Sequence, residues 1–240
     1  MEIPTKFTDK AKFVLRIFTD VETEYDSLLH LMTLTFDSVW RNRMLSRIDF
    51  TDQVRVLDLA CGTGLVTFNV AHSTPTPEMI VGLDLSPAML RIARRNKGKE
   101  RSDCPIEFVR AAAEFLPFRA EVFDHVTVGL ALRNFGNKLE VFKESRRILR
   151  DAGSFLSVDF VRPDNSRVWS LYRFHIFHVL PTISRLVSSH WKRTLVYLAN
   201  SIAIAVPPEE VCRLLSEAGF LSTFSEKMSF GIVALVVGQK

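Results

Sequence analysis

The stretch "VRVLDLACGTGLVTF", residues 54–68, constrains the fold more than any other part of the chain. A short β-branched apolar run enters a turn carrying Gly62 and Gly64, and a helix is expected to open directly after it. The run has the character of a parallel strand buried on both faces. The glycines let a ligand approach the backbone closely, and the first turn of the helix points unpaired N–H groups at that ligand. The spacing is G-x-G-x-x-T, ending on Thr67. The third glycine of a dinucleotide fingerprint is missing, and no G-K-[ST] follows to make a phosphate loop. Asp58 sits at the end of the strand. A carboxylate there repels a diphosphate and attracts an ammonium group.

Further strand-like runs follow at 79–85, 106–111, 123–131, 154–160 and 231–238. Helical patterns lie between them. "SPAMLRIARRN" opens with Ser86 as an N-cap and Pro87 at the first helical position. In "KLEVFKESRRILR" (138–150), Leu139, Phe142, Ile148 and Leu149 recur at helical spacing. Pro207, Pro208, Glu209 and Glu210 open another helix that Gly219 closes. Repeated strand–helix–strand units predict an α/β fold: a mostly parallel sheet with helices on both faces. Residues 7–50 read as mainly helical, with Leu28, Leu29, Leu31, Met32 and Leu34 as apolar positions. Residues 165–205 mix aromatic and basic side chains, among them Trp169, Tyr172, Phe174, Arg173, Arg185 and Lys192. One domain over 1–240 is expected. It would have an N-terminal helical cap (1–50), a ligand-binding core (51–160), a helical insertion (161–206) and a final helix and strands (207–240).

A net charge of +4 argues against a nucleic-acid partner. The basic cluster from Arg91 to Arg101 reads first as a solvated helix end and loop, with an anionic-lipid or nucleic-acid patch as the alternative. Cys61, Cys104 and Cys212 form no CxxC pair, so reduced thiols in a cytoplasm and no metal are expected. The least charged stretch, Thr194 to Pro208, is shorter than the ~20 residues a membrane span needs. A soluble protein is expected, or one resting on a membrane surface.

The second strand ends in "GLDLS". Asp84 stands at the distance from the glycine turn where an acid accepts from two ribose hydroxyls. After the third strand, Ala112 and Ala113 leave a slot for an adenine, with Glu114 following. A ribose at Asp84 and an α-amino group at Asp58 fit S-adenosylmethionine.

"VLDLACGTG", "GLDLSPAML" and "AAAEFLPF" resemble the motifs of class I S-adenosylmethionine-dependent methyltransferases. The narrower resemblance is to the ubiquinone/menaquinone biosynthesis C-methyltransferases. It rests on "YDSLLHLMTLTFDSVWRNRML" (25–45), "FDHVTVGLALRNF" (123–135), "FHVLP" (177–181), "YLANSI" (197–202), "EAGF" (217–220) and "GIVAL" (231–235). It implies a Rossmann-like seven-stranded sheet and methyl transfer to a ring carbon of a polyprenylated, lipophilic quinol. It also implies work at the inner face of a membrane, by peripheral contact, and is compatible with a homodimer. Cofactor contacts are implied at Asp58, Ala60, Gly62, Gly64, Thr67, Asp84, Leu85, Ala112, Ala113, Glu114 and Gly129. The chain departs from the family at Asp151–Ala152, "SSHWKR" (188–193), Ala203 and Val236–Val237.

Methylating carbon needs a ring made nucleophilic by a phenolate. Arg133 and Asn134 follow the fourth strand, on the edge where such sheets bind ligands. Arg133 is expected to stabilise the phenolate or hold a water, unless it pairs with a structural carboxylate. Asn134 would orient that water. His178 is a candidate base or a packed core histidine. Tyr25 caps the cofactor, touches the acceptor or simply packs. An enzyme with another lipophilic acceptor, or a non-catalytic cofactor-binding subunit, are the alternatives.

Overall fold

The computed structural model describes residues 7–19, 24–33, 35–182 and 191–240. Leu34, Arg185 and residues 188–190 of "SSHWKR" lie outside them. Three helices come first: α1 (Phe7–Thr19), α2 (Tyr25–Thr33) and α3 (Phe36–Leu45). The core then alternates β1 (Arg55–Leu59), α4 (Leu65–Ala71), β2 (Met79–Asp84), α5 (Pro87–Lys97), β3 (Ile106–Arg110), β4 (Phe123–Gly129), α6 (Lys138–Ile148) and β5 (Leu149–Phe160). After β5 come α7 (Ser166–Phe174), a π-helical turn (His175–Val179) and α8 (Trp191–Ala203). The chain ends with α9 (Pro208–Glu217), β6 (Ser222–Met228) and β7 (Val233–Gln239).

The seven strands form one sheet in the order β3-β2-β1-β4-β5-β7-β6. The first five are parallel, while β7 runs antiparallel to both β5 and β6. Alternation along each strand sends side chains to opposite faces. Leu57 and Leu59 of β1 join Phe142 and Phe155 on one face, whereas Val56 joins Phe68, Leu156 and Tyr197 on the other. Helix starts follow their caps. Ser86 accepts from the Met89 N–H at 3.3 Å, Asn137 from Glu140 at 3.2 Å, and Asn165 from Arg167 and Val168. At the end of α5, Arg94 and Lys97 donate to the carbonyls of Phe108 and Ile106 in β3.

Two expectations change. Leu149 does not belong to α6. It opens β5 and pairs with Phe123, five residues before the expected strand start. The slack is taken up at Asp151–Ala152–Gly153, where Ala152 adopts φ 60° and a Cβ on Gly153 would meet two carbonyl oxygens at 2.8 Å. The edge strand β6, "STFSEKM", carries no apolar run, because an antiparallel edge strand has a solvated face.

Candidate active site

The C-terminal ends of β1, β2 and β4 and the turn after β3 open into one cleft. Its floor comes from Ala60, Gly62, Asp84, Leu85, Ala112, Ala113, Glu114 and Gly129, all expected there from the sequence.

The floor is shaped by backbone in unusual conformations. Ala60 ends β1 at φ 54° and Leu130 follows β4 at φ 56°. Left-handed backbone at a non-glycine residue costs about 1 kcal/mol or more and collects at functional sites. Gly62 has φ +57° and nothing near the place of its missing Cβ. Gly64 caps α4 at φ +96°, where a Cβ would strike the Phe68 ring at 2.4 Å. A Cβ on Gly129 would meet Val66 at 2.5 Å.

Asp84 ties the floor together. Its Oδ2 accepts from the Gly62 N–H at 2.9 Å and its Oδ1 from the Ser86 N–H at 2.7 Å. Each oxygen keeps a lone pair for a ligand hydroxyl. Burial pushes its carboxyl above the usual range, against the pull of these N–H groups. Glu114 is also pushed up by burial.

Asp58 lies deeper. Thr67 donates to it at 2.6 Å and Thr127 at 3.1 Å. Burial raises its carboxyl to about 7, with the two hydroxyls opposing. It borders a second cavity that shares Tyr25, Ala60, Gly62 and Gly129 with the main cleft. Gly64 and Thr67 line neither cavity. They act on the site through α4 and through Asp58.

Tyr25 and Asn134 also line the cleft. Burial raises the Tyr25 phenol to about 12, so it remains a donor at neutral pH. Tyr197 donates to Asn134 Oδ1 at 2.7 Å, leaving the amide N–H pair as what Asn134 offers the cleft.

Arg133 and His178 do not join them. The Arg133 guanidinium is buried, donates to Asp159 and to the Leu130 carbonyl, and lies over the Phe160 ring. It borders two smaller cavities and is not among the residues lining the cleft. Burial demands a counter-charge, and Asp159 on β5 provides it. His178 is exposed on the π-helical turn, its ring tilted against that of Phe174 with centroids 5.3 Å apart. It does not line the cleft.

The sequence reading expected an N-terminal helical cap but named none of the residues of α1 that close the cleft. Ala11, Val14, Leu15 and Phe18 of α1 close the cleft with apolar surface. The amphipathic pattern of α1 was the available signal, but it does not say what the apolar face covers. Two contacts tie the N-terminal helices to the core. The Thr63 hydroxyl donates to Asp26 at 2.7 Å, joining α2 to the glycine turn. Lys10 donates to the carbonyls of Arg133 and Phe135 at 3.0 and 3.1 Å, and its burial lowers its ammonium to about 8.

Comparison with known proteins gives a consistent result. The model of the ubiE/COQ5 methyltransferase family matches residues 5–240. The ubiquinone/menaquinone biosynthesis C-methyltransferase UbiE of Geobacter sulfurreducens is 30% identical, over 98% of this chain and 91% of that protein. The demethylmenaquinone methyltransferase of Porphyromonas gingivalis is 30% identical over the full length of both. Among solved structures, a SAM-dependent methyltransferase of Thermotoga maritima superposes with a TM-score of 0.64 at 17% identity, over 93% of this chain and 98% of that one. At that identity the likeness speaks for the fold.

Proposed function

The chain belongs to the ubiE/COQ5 methyltransferase family, and from that premise we infer that it is an S-adenosylmethionine-dependent C-methyltransferase of quinone biosynthesis, acting on the ring of a polyprenylated quinol. The observation that carries this reading is Asp84, held by the Gly62 and Ser86 N–H groups and facing a cleft with Ala112 and Ala113 on its floor.

The residues present fit the cofactor. Asp84 has lone pairs for two vicinal ribose hydroxyls. Ala112 and Ala113 leave room for a flat ring, and Asp58 is a buried carboxylate suited to an ammonium group. When bound, S-adenosylmethionine supplies an electrophilic methyl group open to in-line displacement.

The chain's own residues do the rest. The α1 side chains exclude water from the cleft. They also form an apolar wall for a lipophilic acceptor, together with Leu130 and Phe135. Asn134, fixed by Tyr197, and Tyr25 are neutral donors at the cleft wall. Donors aimed at a ring hydroxyl stabilise the phenolate that makes the neighbouring carbon nucleophilic. As donors they hold the phenolate and do not take its proton.

A membrane-surface role is part of the same reading. Arg167, Leu171, Phe174 and His178 follow one another at i, i+4, i+7 and i+11 along α7 and the π-helical turn, and all are exposed. A basic and apolar stripe of this kind suits an anionic lipid surface. Among the described residues, no helix is long and apolar enough to cross a membrane.

The test is transfer from methyl-labelled S-adenosylmethionine to a panel of reduced demethyl-benzoquinols and demethyl-naphthoquinols, in anionic vesicles and in detergent. Label is expected in a ring product, and the preferred ring is read directly. The paired replacement of Leu171 and Phe174 by Ser is expected to slow labelling from vesicles and spare it in detergent. Cofactor binding without labelling of any quinol would overturn the acceptor, and equal rates from vesicles would overturn the membrane contact.

A further inference from the structure

Lys10 of α1 and Lys138, the first residue of α6, converge on one oxygen. Their ammonium groups donate to the Phe135 carbonyl at 3.1 and 3.2 Å. Lys10 also donates to the Arg133 carbonyl at 3.0 Å. Among the described residues their acceptors are backbone carbonyls and no carboxylate. An ammonium group has three N–H donors, so one of Lys10 and two of Lys138 are left over. Both lysines are half-buried, and both line a small cavity with Arg133. Nε and Nη1 of Arg133 are engaged, whereas its Nη2 makes no hydrogen bond among the described residues. Three cationic side chains therefore border one cavity, and among the described residues no carboxylate lines it. Like charges held this close and partly out of water repel each other. Burial first, and then the neighbouring Lys138, bring Lys10 down to about 8. Burial lowers Lys138 as well. Asp159 and Glu114 oppose these shifts from outside the cavity: Asp159 pairs with Arg133, and Glu114 lines the cleft.

An anion in the cavity relieves this repulsion, and the donors narrow its kind. They come from three elements: α1, the turn after β4 and α6. A planar carboxylate offers two oxygens, whereas a tetrahedral phosphate offers enough to meet all three. The hydroxyls in the lining are already donating, Tyr197 to Asn134 and Ser201 to the Leu198 carbonyl, so the cations carry the binding. We propose that Lys10, Lys138 and Arg133 form a binding pocket for a phosphate group. The rest of the lining is apolar. Ile204, 66% exposed, and Val206 give an alkyl substituent on the phosphate a surface to lie against. The phosphate of a lipid headgroup therefore gains more contact there than the free ion. The cavity shares no lining residue with the cleft, so the assignment does not depend on what the cleft binds.

Calorimetry at fixed ionic strength tests it with two probes: inorganic phosphate, and dihexanoyl phosphatidic acid below its micelle concentration. The unaltered protein is expected to bind both saturably at one site. Lys10→Gln with Lys138→Gln is expected to weaken both at least about tenfold. Lys99→Gln with Arg101→Gln removes the same charge from exposed chain after α5, and is expected to leave both within about twofold. Lys138→Gln alone keeps the Lys10 contacts of α1, so it carries the test should the lysine pair fail to fold. It is expected to weaken both probes about threefold or more. Tighter binding of the phosphatidic acid, with the gain lost in Ile204→Ser, supports the pocket and identifies a lipid headgroup. Binding of inorganic phosphate at least as tight supports the pocket and identifies the free ion. Absence of saturable binding of either probe by the unaltered protein would overturn the pocket without any variant. Unchanged affinity in the lysine variants would also overturn it, as would equal weakening by the Lys99 and Arg101 pair.

Discussion

Asp58 and Asp159 stand near the C-terminal ends of β1 and β5, the two strands that flank β4, and both are buried. Their surroundings differ. Asp159 receives the Arg133 guanidinium, the Arg133 backbone N–H at 2.7 Å and the Phe160 N–H at 2.7 Å. Asp58 receives two neutral hydroxyls and, among the described residues, no ion pair. Desolvation is costly for either carboxylate. At Asp159 the protein itself supplies the compensating cation. At Asp58 the compensation is incomplete, the carboxyl rises to about 7, and a cavity adjoins it. An acid left without a protein cation beside a cavity marks the place for a ligand's cation.

The contrast can be broken from either side. The largest effect is expected on the Asp159 side. Arg133→Ala leaves a buried carboxylate unpaired and should cost about 3–5 kcal/mol. Denaturant unfolding measures it, and the folded fraction should still bind S-adenosylhomocysteine within about twofold of the unaltered protein. Normal stability with lost turnover would return Arg133 to the chemistry.

The Asp58 side should respond in the opposite sense. A carboxyl whose folded value lies above its unfolded value binds more protons in the folded state. Its ionisation therefore destabilises the fold as pH rises from about 4 to about 7. Asp58→Asn removes that penalty. Without ligand, the variant should be more stable than the unaltered protein at pH 8 by about 2–4 kcal/mol, and the gain should shrink toward pH 4. Binding should move the other way. S-adenosylhomocysteine affinity should fall about tenfold in the variant. The rise in affinity between pH 6 and 7.5, expected of the unaltered protein, should flatten. A thermal melt series with calorimetry at each pH checks both.

The smallest effect sharpens the comparison at the acceptor wall, where neutral groups again do the holding. Tyr197→Phe keeps the ring, its edge-on contacts with Phe13 and Phe18, and the packing, and removes only the hydroxyl that fixes Asn134. A loss of about 1 kcal/mol is expected, with lower kcat and an unchanged cofactor KM. Unchanged kcat would remove Asn134 from the acceptor site.

The cleft floor was legible because its signals are local. Gly62, Asp84 and Ala112–Glu114 each belong to a strand end or the turn directly after it. In a parallel sheet all those turns meet at one edge. Six of the seven strands and the parallel sheet followed from the same alternation. The polar edge strand β6 escaped, since a strand with one wet face leaves no apolar run. Within the site, "LRNF" was read as a unit, yet its two polar residues part ways. Asn134 lines the cleft and Arg133 does not. The residue that decides this is Asp159, on another strand.

By itself, then, the sequence determined the α/β alternation, the helix cap at Ser86, the glycine turn and the two acids near the ends of β1 and β2. Each depends on dihedral preference, side-chain period or a hydrogen bond within a few residues. Only the tertiary structure decided which buried charges are paired. Arg133 finds Asp159 through the β4–β5 ladder, Tyr197 reaches Asn134 from α8, and α1 carries the residues that close the cleft to strand ends far along the chain. Such pairings are set by where packed elements bring side chains, and by the cost of leaving a charge alone once water is excluded. Neither quantity exists until the elements have packed.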